Sequence, residues 1–286
     1  MHASEVVSQF TLGIILLAVI PRVEAQPINT VEELNQSGIE KFKLSSYQDA
    51  LRIFSSALHI YEQSGDIKGE ATSLSEIAMC LEALGQKQKA LQYLEKALPK
   101  WQLAQDRDNQ ASTLGKEGDI YRLWGFPDQA LLRYKNALPL FLMAGDPAGR
   151  AAVLNNMGLA YINLGQKNRS RQYFESALEL YRLLGDTTGE TTALINLGAV
   201  YKHRHDVPIA LDFLNQALQL ARTSGDKSLE AGSLNALGLA YADYGDRDKA
   251  LQSYKSALAT YQSIGDSRGD AEVLRNLRRL LSNDSR

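Results

Sequence analysis

The chain has 286 residues, of which 44% are hydrophobic and 22% are charged, so it can bury a sizeable core and is not the highly charged, apolar-poor kind of chain that stays disordered. Its 31 basic residues are balanced by 33 acidic ones, which argues against a nucleic-acid-binding protein, since such proteins usually carry a basic excess. A single cysteine, Cys80, rules out an internal disulfide and a cysteine-rich zinc site, and four histidines offer few other metal ligands. We therefore expect no metal and no other cofactor.

The segment 1–25 differs in character from the rest of the chain. Positions 10–20 form a largely apolar run without charged residues, which is too short to cross a bilayer as a helix but is typical of the apolar region of a signal peptide. We therefore predict that residues 1–25 are a signal peptide, cleaved after Ala25, and that the mature protein is periplasmic or secreted. The segment before the run lacks Lys and Arg and contains Glu5, so an uncleaved membrane anchor remains the alternative. In that case this segment would be the chain's contact with the membrane.

From position 31 onward the sequence repeats with a constant period. A Gly-Asp pair, replaced once by Gln-Asp, recurs in this register without any insertion, and its aspartates are Asp66, Asp106, Asp146, Asp186, Asp226 and Asp266. The spacing defines six units, 31–70, 71–110, 111–150, 151–190, 191–230 and 231–270, and the start of a seventh at 271–286. We call these units one to seven and number the positions within each from 1 to 40.

Each unit contains two apolar stripes with helical spacing. Leucine occupies position 4 of every unit, glycine or alanine occupies position 8 of the first six, and alanine occupies position 27 of the first six. Positions 4, 7, 8 and 11 lie on one face of a helix, and so do positions 20, 24, 27 and 28. Glycine is common at position 15, between the stripes, and Asp146-Pro147 is typical of a helix start. Each unit is therefore predicted to be a pair of antiparallel helices.

The pattern Leu154, Gly158, Tyr161, Phe174 and Ala177 resembles the tetratricopeptide repeat (TPR). The usual unit has about 34 residues, and this chain resembles the longer variety found in kinesin light chains, in Pins-type spindle-orientation proteins and in bacterial repeat proteins with a caspase-like CHAT peptidase domain. The resemblance implies an all-α fold, a right-handed α-solenoid of stacked antiparallel helix pairs, because one pair cannot bury its own apolar face. We assign six repeats to residues 26–270.

The last segment, residues 271–286, is predicted to be a capping helix. Arg278 stands at position 8, which is small in every earlier unit, so no further helix could pack closely against that face. Arg275 and Asn276 add polar side chains around the leucines of the segment. The stack is therefore expected to end at this helix.

Neither the histidines nor the cysteine form a convincing catalytic set. His203 and His205 are separated by one residue, so on a helix they would point in different directions. Cys80 lies in a small and apolar stretch, where it is expected to fill the core. The sequence therefore indicates a protein that is not an enzyme.

The TPR resemblance implies that positions 2, 5, 6, 9, 12 and 13 of the first helices line a concave groove that holds an extended peptide or a partner helix. The candidate peptide-binding residues at these positions are Asn155, Asn156, Asn163, Asn196, Lys202, Asn235, Asn276 and Arg279. Asparagine can both donate to and accept from a peptide backbone, and as a poor helix former it needs a reason to recur here. The alternative is that these asparagines are simply solvated.

The sequence thus favours a protein–protein interaction scaffold. A regulatory partner of a CHAT-type peptidase, or of another enzyme acting in trans, is the alternative that the resemblance leaves open. The identity of the bound protein or peptide is not encoded in any motif that we recognise.

Overall fold

The computed structural model describes residues 28–201 and 206–282. The predicted signal segment and Lys202 therefore lie outside the described residues. The described part contains 13 α-helices and no strand: α1 (Ile28–Lys43), α2 (Tyr47–Ser64), α3 (Ile67–Ala83), α4 (Lys87–Leu103), α5 (Arg107–Leu123), α6 (Pro127–Ala144), α7 (Pro147–Asn163), α8 (Lys167–Leu184), α9 (Thr187–Val200), α10 (Val207–Ser224), α11 (Lys227–Tyr244), α12 (Arg247–Ile264) and α13 (Ser267–Ser282). Of these helices, none combines the length and the hydropathy that a membrane-spanning segment needs.

The recurring Gly-Asp pair ends one helix and starts the next. Gly145 adopts a left-handed backbone conformation, with φ of 71°, and closes α6 by donating its N–H to the carbonyl oxygens of the last turn. Asp146 then caps α7, because its side chain accepts hydrogen bonds from the N–H groups of Ala148 and Gly149 at 3.0 Å. Gln105 adopts the same left-handed conformation, with φ of 55°, where the glycine is missing. The pair recurs in the sequence because it meets both backbone requirements in two adjacent positions.

Consecutive helices pack against each other along the whole described chain, so the predicted all-α solenoid is confirmed. Adjacent first helices also contact one another from α5 through α7, α9 and α11 to α13, whereas no comparable contact joins adjacent second helices in the described part of the chain. The first helices therefore lie on the inner side of the stack, closer together than the second helices. This inner side is the concave face.

Within a unit, the small residue at position 8 makes room for a large one at position 24. A Cβ atom added to Gly158 would lie 2.5 Å from the ring of Phe174, which is fully buried. The same relation holds for Gly38 with Phe54, Gly118 with Tyr134 and Gly238 with Tyr254. Unit five differs, because Gly198 faces Leu214 and a cavity of about 70 Å³ lies beside the two residues.

A second relation of this kind joins the second helix of one unit to the helix that follows it. Gly149, at the start of α7, packs its bare Cα against the ring of Phe141 at the end of α6. In unit five, Leu229 stands at the position of this glycine, and the ring position is occupied by Ala221, which is fully buried. The large and the small residue are thus exchanged between these two positions in unit five.

Substitution of these glycines tests the packing. Gly158→Leu is expected to lower the free energy of unfolding by about 1–3 kcal/mol, because the Phe174 ring has no flexible end that can move away. Gly198→Leu should cost less, because Leu214 can change its rotamer and the neighbouring cavity can accept part of the added volume. Urea unfolding measures both changes.

Gly115→Ala is the matched control. An added Cβ there meets only Val153, at an ordinary contact distance of 3.6 Å, and alanine favours a helix interior over glycine by about 0.5–1 kcal/mol. Equal stability of the wild type and the Gly158→Leu variant would contradict the packing of position 8 described above.

Candidate functional site

Asparagine pairs connect adjacent first helices on the concave face. The Nδ2 atom of Asn196 on α9 donates a hydrogen bond of 2.9 Å to Oδ1 of Asn155 on α7. Asn276 on α13 donates in the same way to Asn235 on α11, at 3.0 Å. In both pairs, position 6 of one unit reaches back to position 5 of the unit before it. Asparagine therefore recurs here partly because it ties neighbouring repeats together.

Units three and four are connected through an aspartate instead. Oδ1 of Asp119 on α5 accepts a hydrogen bond of 2.8 Å from Nδ2 of Asn156 and one of 2.6 Å from the hydroxyl of Tyr134. Burial nevertheless raises the pKa of Asp119, because the Tyr134 hydrogen bond and the nearby cations only partly offset the loss of solvation. Lys116, at position 6 of unit three, points its ammonium at Sδ of Met79, 3.3 Å away on α3.

The groove in units two and three holds a cluster of partly desolvated charges. Lys116 lies among Glu76, Glu82 and Asp119, and burial lowers the pKa of its ammonium while these three carboxylates oppose the shift. Burial raises the pKa of Glu76 to about 7, which Lys116 only partly counteracts, and it raises the pKa of Glu82 as well. We therefore expect Glu76 to change its charge near neutral pH, whereas asparagine amides dominate the part of the groove that follows.

The structure places the predicted site residues at three depths. Asn155 and Asn235 are buried, with 6% and 7% of their surface exposed, and act as acceptors between units. Asn156, Asn196 and Asn276 are half-buried and donate backward through Nδ2. The two candidates that are exposed to solvent are Asn163 and Arg279. Lys202 lies outside the described residues.

Asp119 contacts the candidate residue Asn156, although the sequence analysis did not single it out. It stands at position 9, where the other units from one to six have Ile39, Met79, Leu159, Ala199 and Leu239. A charged residue among apolar ones was the signal that could have found it. Its partners, Tyr134 and Asn156, lie 15 and 37 positions further along the sequence.

The structure gives Cys80 the environment of a core residue. The side chain is buried, and burial raises the pKa of its thiol to about 11, so the reactive thiolate is disfavoured at neutral pH. Across residues 28–201 and 206–282, no three His, Cys, Asp or Glu side chains are grouped as metal ligands would be.

Helix pairs that recur in constant register, capped by aspartate and stacked through glycine and aromatic residues, point to one family. The family model of the tetratricopeptide repeat matches residues 34–102, 149–223 and 189–263. The chain belongs to the tetratricopeptide-repeat family. These matches cover well over half of its length, and no curated protein matches this TPR chain.

Solved structures share the fold at low sequence identity. BtubC (BKLC) from P. vanneervenii is 21% identical, with a TM-score of 0.62 over 84% of this chain and 92% of that one. The apo form of RapI is 14% identical, with a TM-score of 0.70 over 87% and 99% of the two chains. A Rap protein complexed with Competence and Sporulation Factor is 14% identical, with a TM-score of 0.67 over 90% of this chain and 76% of that one. At these identities the likeness supports the TPR fold.

Proposed function

We propose that this TPR protein is a non-enzymatic scaffold whose concave face binds a peptide segment or a helix of a partner protein. The main support for this proposal is the orientation of the half-buried asparagine side-chain amides at position 6. Asn156, Asn196 and Asn276 each donate through Nδ2 to the preceding unit, and within the described residues no donor reaches their amide oxygens. These oxygens are thus available as acceptors for the N–H groups of a bound chain.

Solved relatives give the proposal general support. The Rap protein whose structure was determined with Competence and Sporulation Factor has the same kind of helix stack, so a TPR array of this size can hold a partner. Amide oxygens accept hydrogen bonds from N–H and O–H donors, and backbone N–H groups are the donors that nearly every peptide carries. We therefore expect a ligand that is an extended segment or a helix end with free N–H groups.

Selection from a displayed library of random peptides tests this function. Peptides enriched on the wild-type chain are expected to compete with one another, because they would use the same row of amide oxygens. They should not be enriched on a variant in which Asn156, Asn196 and Asn276 are all replaced by Ala. Enrichment on both proteins would place the binding surface away from this row, and failure to enrich any peptide would count against a peptide ligand.

We also propose that the protein is exported and that residues 1–25 are removed during export. The support is the apolar run at 10–20 and the small residue, Ala25, before the expected cleavage site. N-terminal sequencing of the protein from its native host should begin at Gln26. A mature chain that keeps residues 10–20 would favour the membrane anchor instead.

A further inference from the structure

Unit three carries a charged residue in the core. Glu117 lies at position 7 of the unit, and only 1% of its side chain is exposed. The same position holds Ile77, Met157, Leu197 and Leu237 in the neighbouring units, and all four are buried in the apolar core. A carboxyl group has therefore replaced an apolar side chain in the packed layer between the two helices of this unit.

The residues around Glu117 provide one nearby cation but no aligned hydrogen-bond donor for its carboxylate. Nε of Arg133 on α6 lies 3.0 Å from Oε2 of Glu117, but neither carboxylate oxygen accepts a well-aligned hydrogen bond from the described residues. The guanidinium also lies over the ring of Tyr121, 5.7 Å from its centre, and remains partly exposed. Glu95 on α4 is the other charged group that acts on Glu117, and it is repulsive. A buried ion pair of this kind gains less from attraction than it loses in solvation.

The charge cluster of the groove does not act on Glu117. Glu76 and Glu82 on α3 act on Lys116, and Glu82 also acts against Asp119, but neither acts on Glu117. The helix on the other side, α7, carries a single charged residue, Arg150, in its first turn. Arg133 is thus the cation that faces the buried carboxylate.

The helix that carries Glu117 is also intrinsically weak. Gly115 and Gly118 both lie in the interior of α5, and glycine in a helix interior loses more backbone entropy on folding than any other residue. The helix lies between units two and four and contacts α4, α6 and α7. A change in the packing of α5 therefore alters the contact between units one and two on one side and units four to seven on the other.

From these contacts we propose that unit three is a pH-responsive joint of the solenoid, in which ionisation of Glu117 loosens the packing of α5 against α4 and α6. The charge cluster of units two and three lies at this joint, and the asparagine row of units four to seven follows it. The alignment of these two parts of the groove then depends on pH.

The direction of the pH effect on α5 packing follows from the raised pKa of the Glu117 carboxyl group. Burial raises the pKa of Glu117 from the ordinary value of 4.5 to about 7, although Arg133 opposes the shift. A group whose pKa is raised in the folded state stabilises the packed form fully below its unfolded pKa, and this contribution is lost as the pH rises through about 7. The joint is therefore tight in mild acid and loose above neutral pH.

Amide hydrogen exchange of the full chain, corrected for the intrinsic pH dependence of exchange, tests the joint. The opening equilibrium of α5 is expected to rise by roughly 50- to 100-fold between pH 5 and pH 8 if Glu117 alone is responsible. Glu117→Gln keeps the shape of the side chain and removes its charge, so the rise should fall at least about fivefold in this variant, and the groups of the neighbouring charge cluster account for what remains. Glu175→Gln on α8 is the control, because it removes an exposed carboxylate that pairs with Arg171 far from the joint.

Glu117→Met serves as a second variant, which introduces the residue that unit four has at this position, and its α5 should show the same reduced response. Three results would overturn the proposal. The first is an undiminished pH response in both Glu117 variants. The second is greater opening in acid than in base. The third is an equal response of all the helices, which would show global unfolding with no local joint. None of these measurements depends on a ligand, so they test the proposed joint independently of the proposed scaffold function.

Discussion

Replacement of Arg133 by alanine is expected to destabilise the protein by about 3 kcal/mol at pH 8. Removing one partner of a buried ion pair typically costs about 3–5 kcal/mol, because the other charge stays buried without compensation. The lower end applies here because 29% of the Arg133 side chain is exposed. The loss should be smaller at pH 5.5, where Glu117 can take up a proton, since burial already raises its pKa to about 7. Urea unfolding at the two pH values measures both effects.

A double variant supplies the matched control. Glu117→Met combined with Arg133→Tyr reproduces the residues that unit four has at the same two positions, Met157 and Tyr173. Replacing a buried ion pair by well-packed apolar residues is often neutral or stabilises by about 1–4 kcal/mol. We therefore expect this variant to be at least as stable as the wild type at pH 8. A double variant as unstable as Arg133→Ala would show that unit three needs its ion pair.

The second large effect is expected in ligand binding. Replacing Asn156, Asn196 and Asn276 together by alanine should weaken the binding of a selected peptide by about ten- to a thousandfold. Each hydrogen bond to the ligand contributes about 0.5–1.5 kcal/mol, and about 1.4 kcal/mol corresponds to a factor of ten in affinity. Isothermal titration calorimetry with a peptide from the library selection measures the change.

The stability of this triple variant must be measured separately. The same three side chains tie neighbouring units together, so their loss weakens the stack, while alanine favours the helix more than asparagine does. Circular dichroism should show a folded protein with a modest decrease in thermal stability. Asn136→Ala with Asn215→Ala, on exposed faces of α6 and α10, is the control and should leave the affinity unchanged. An unchanged affinity in the folded triple variant would move the binding site away from the concave face.

The sequence by itself determined the repeat and the family. Each repeat unit contains its own helix signals, because caps, left-handed residues and apolar stripes act between positions that are close together in the chain. Asp146 could be predicted as a cap and position 8 as a close contact for this reason. Both depend on local backbone geometry and on the period of a helix, and the many copies in register make such patterns easy to recognise.

Only the tertiary structure decided how the polar side chains are paired. Asn196 meets Asn155 across 41 positions of the sequence, and Asn156 meets Asp119 across 37, so one column of the repeat reaches different positions of the preceding unit. Those partners depend on how adjacent helices are tilted and shifted, which the helical period does not specify. The environment of Glu117 also depends on the tertiary structure. Its position in the apolar column is visible in the sequence, but the raised pKa arises from the packing of α4, α5 and α6 around it and from the partial exposure of Arg133.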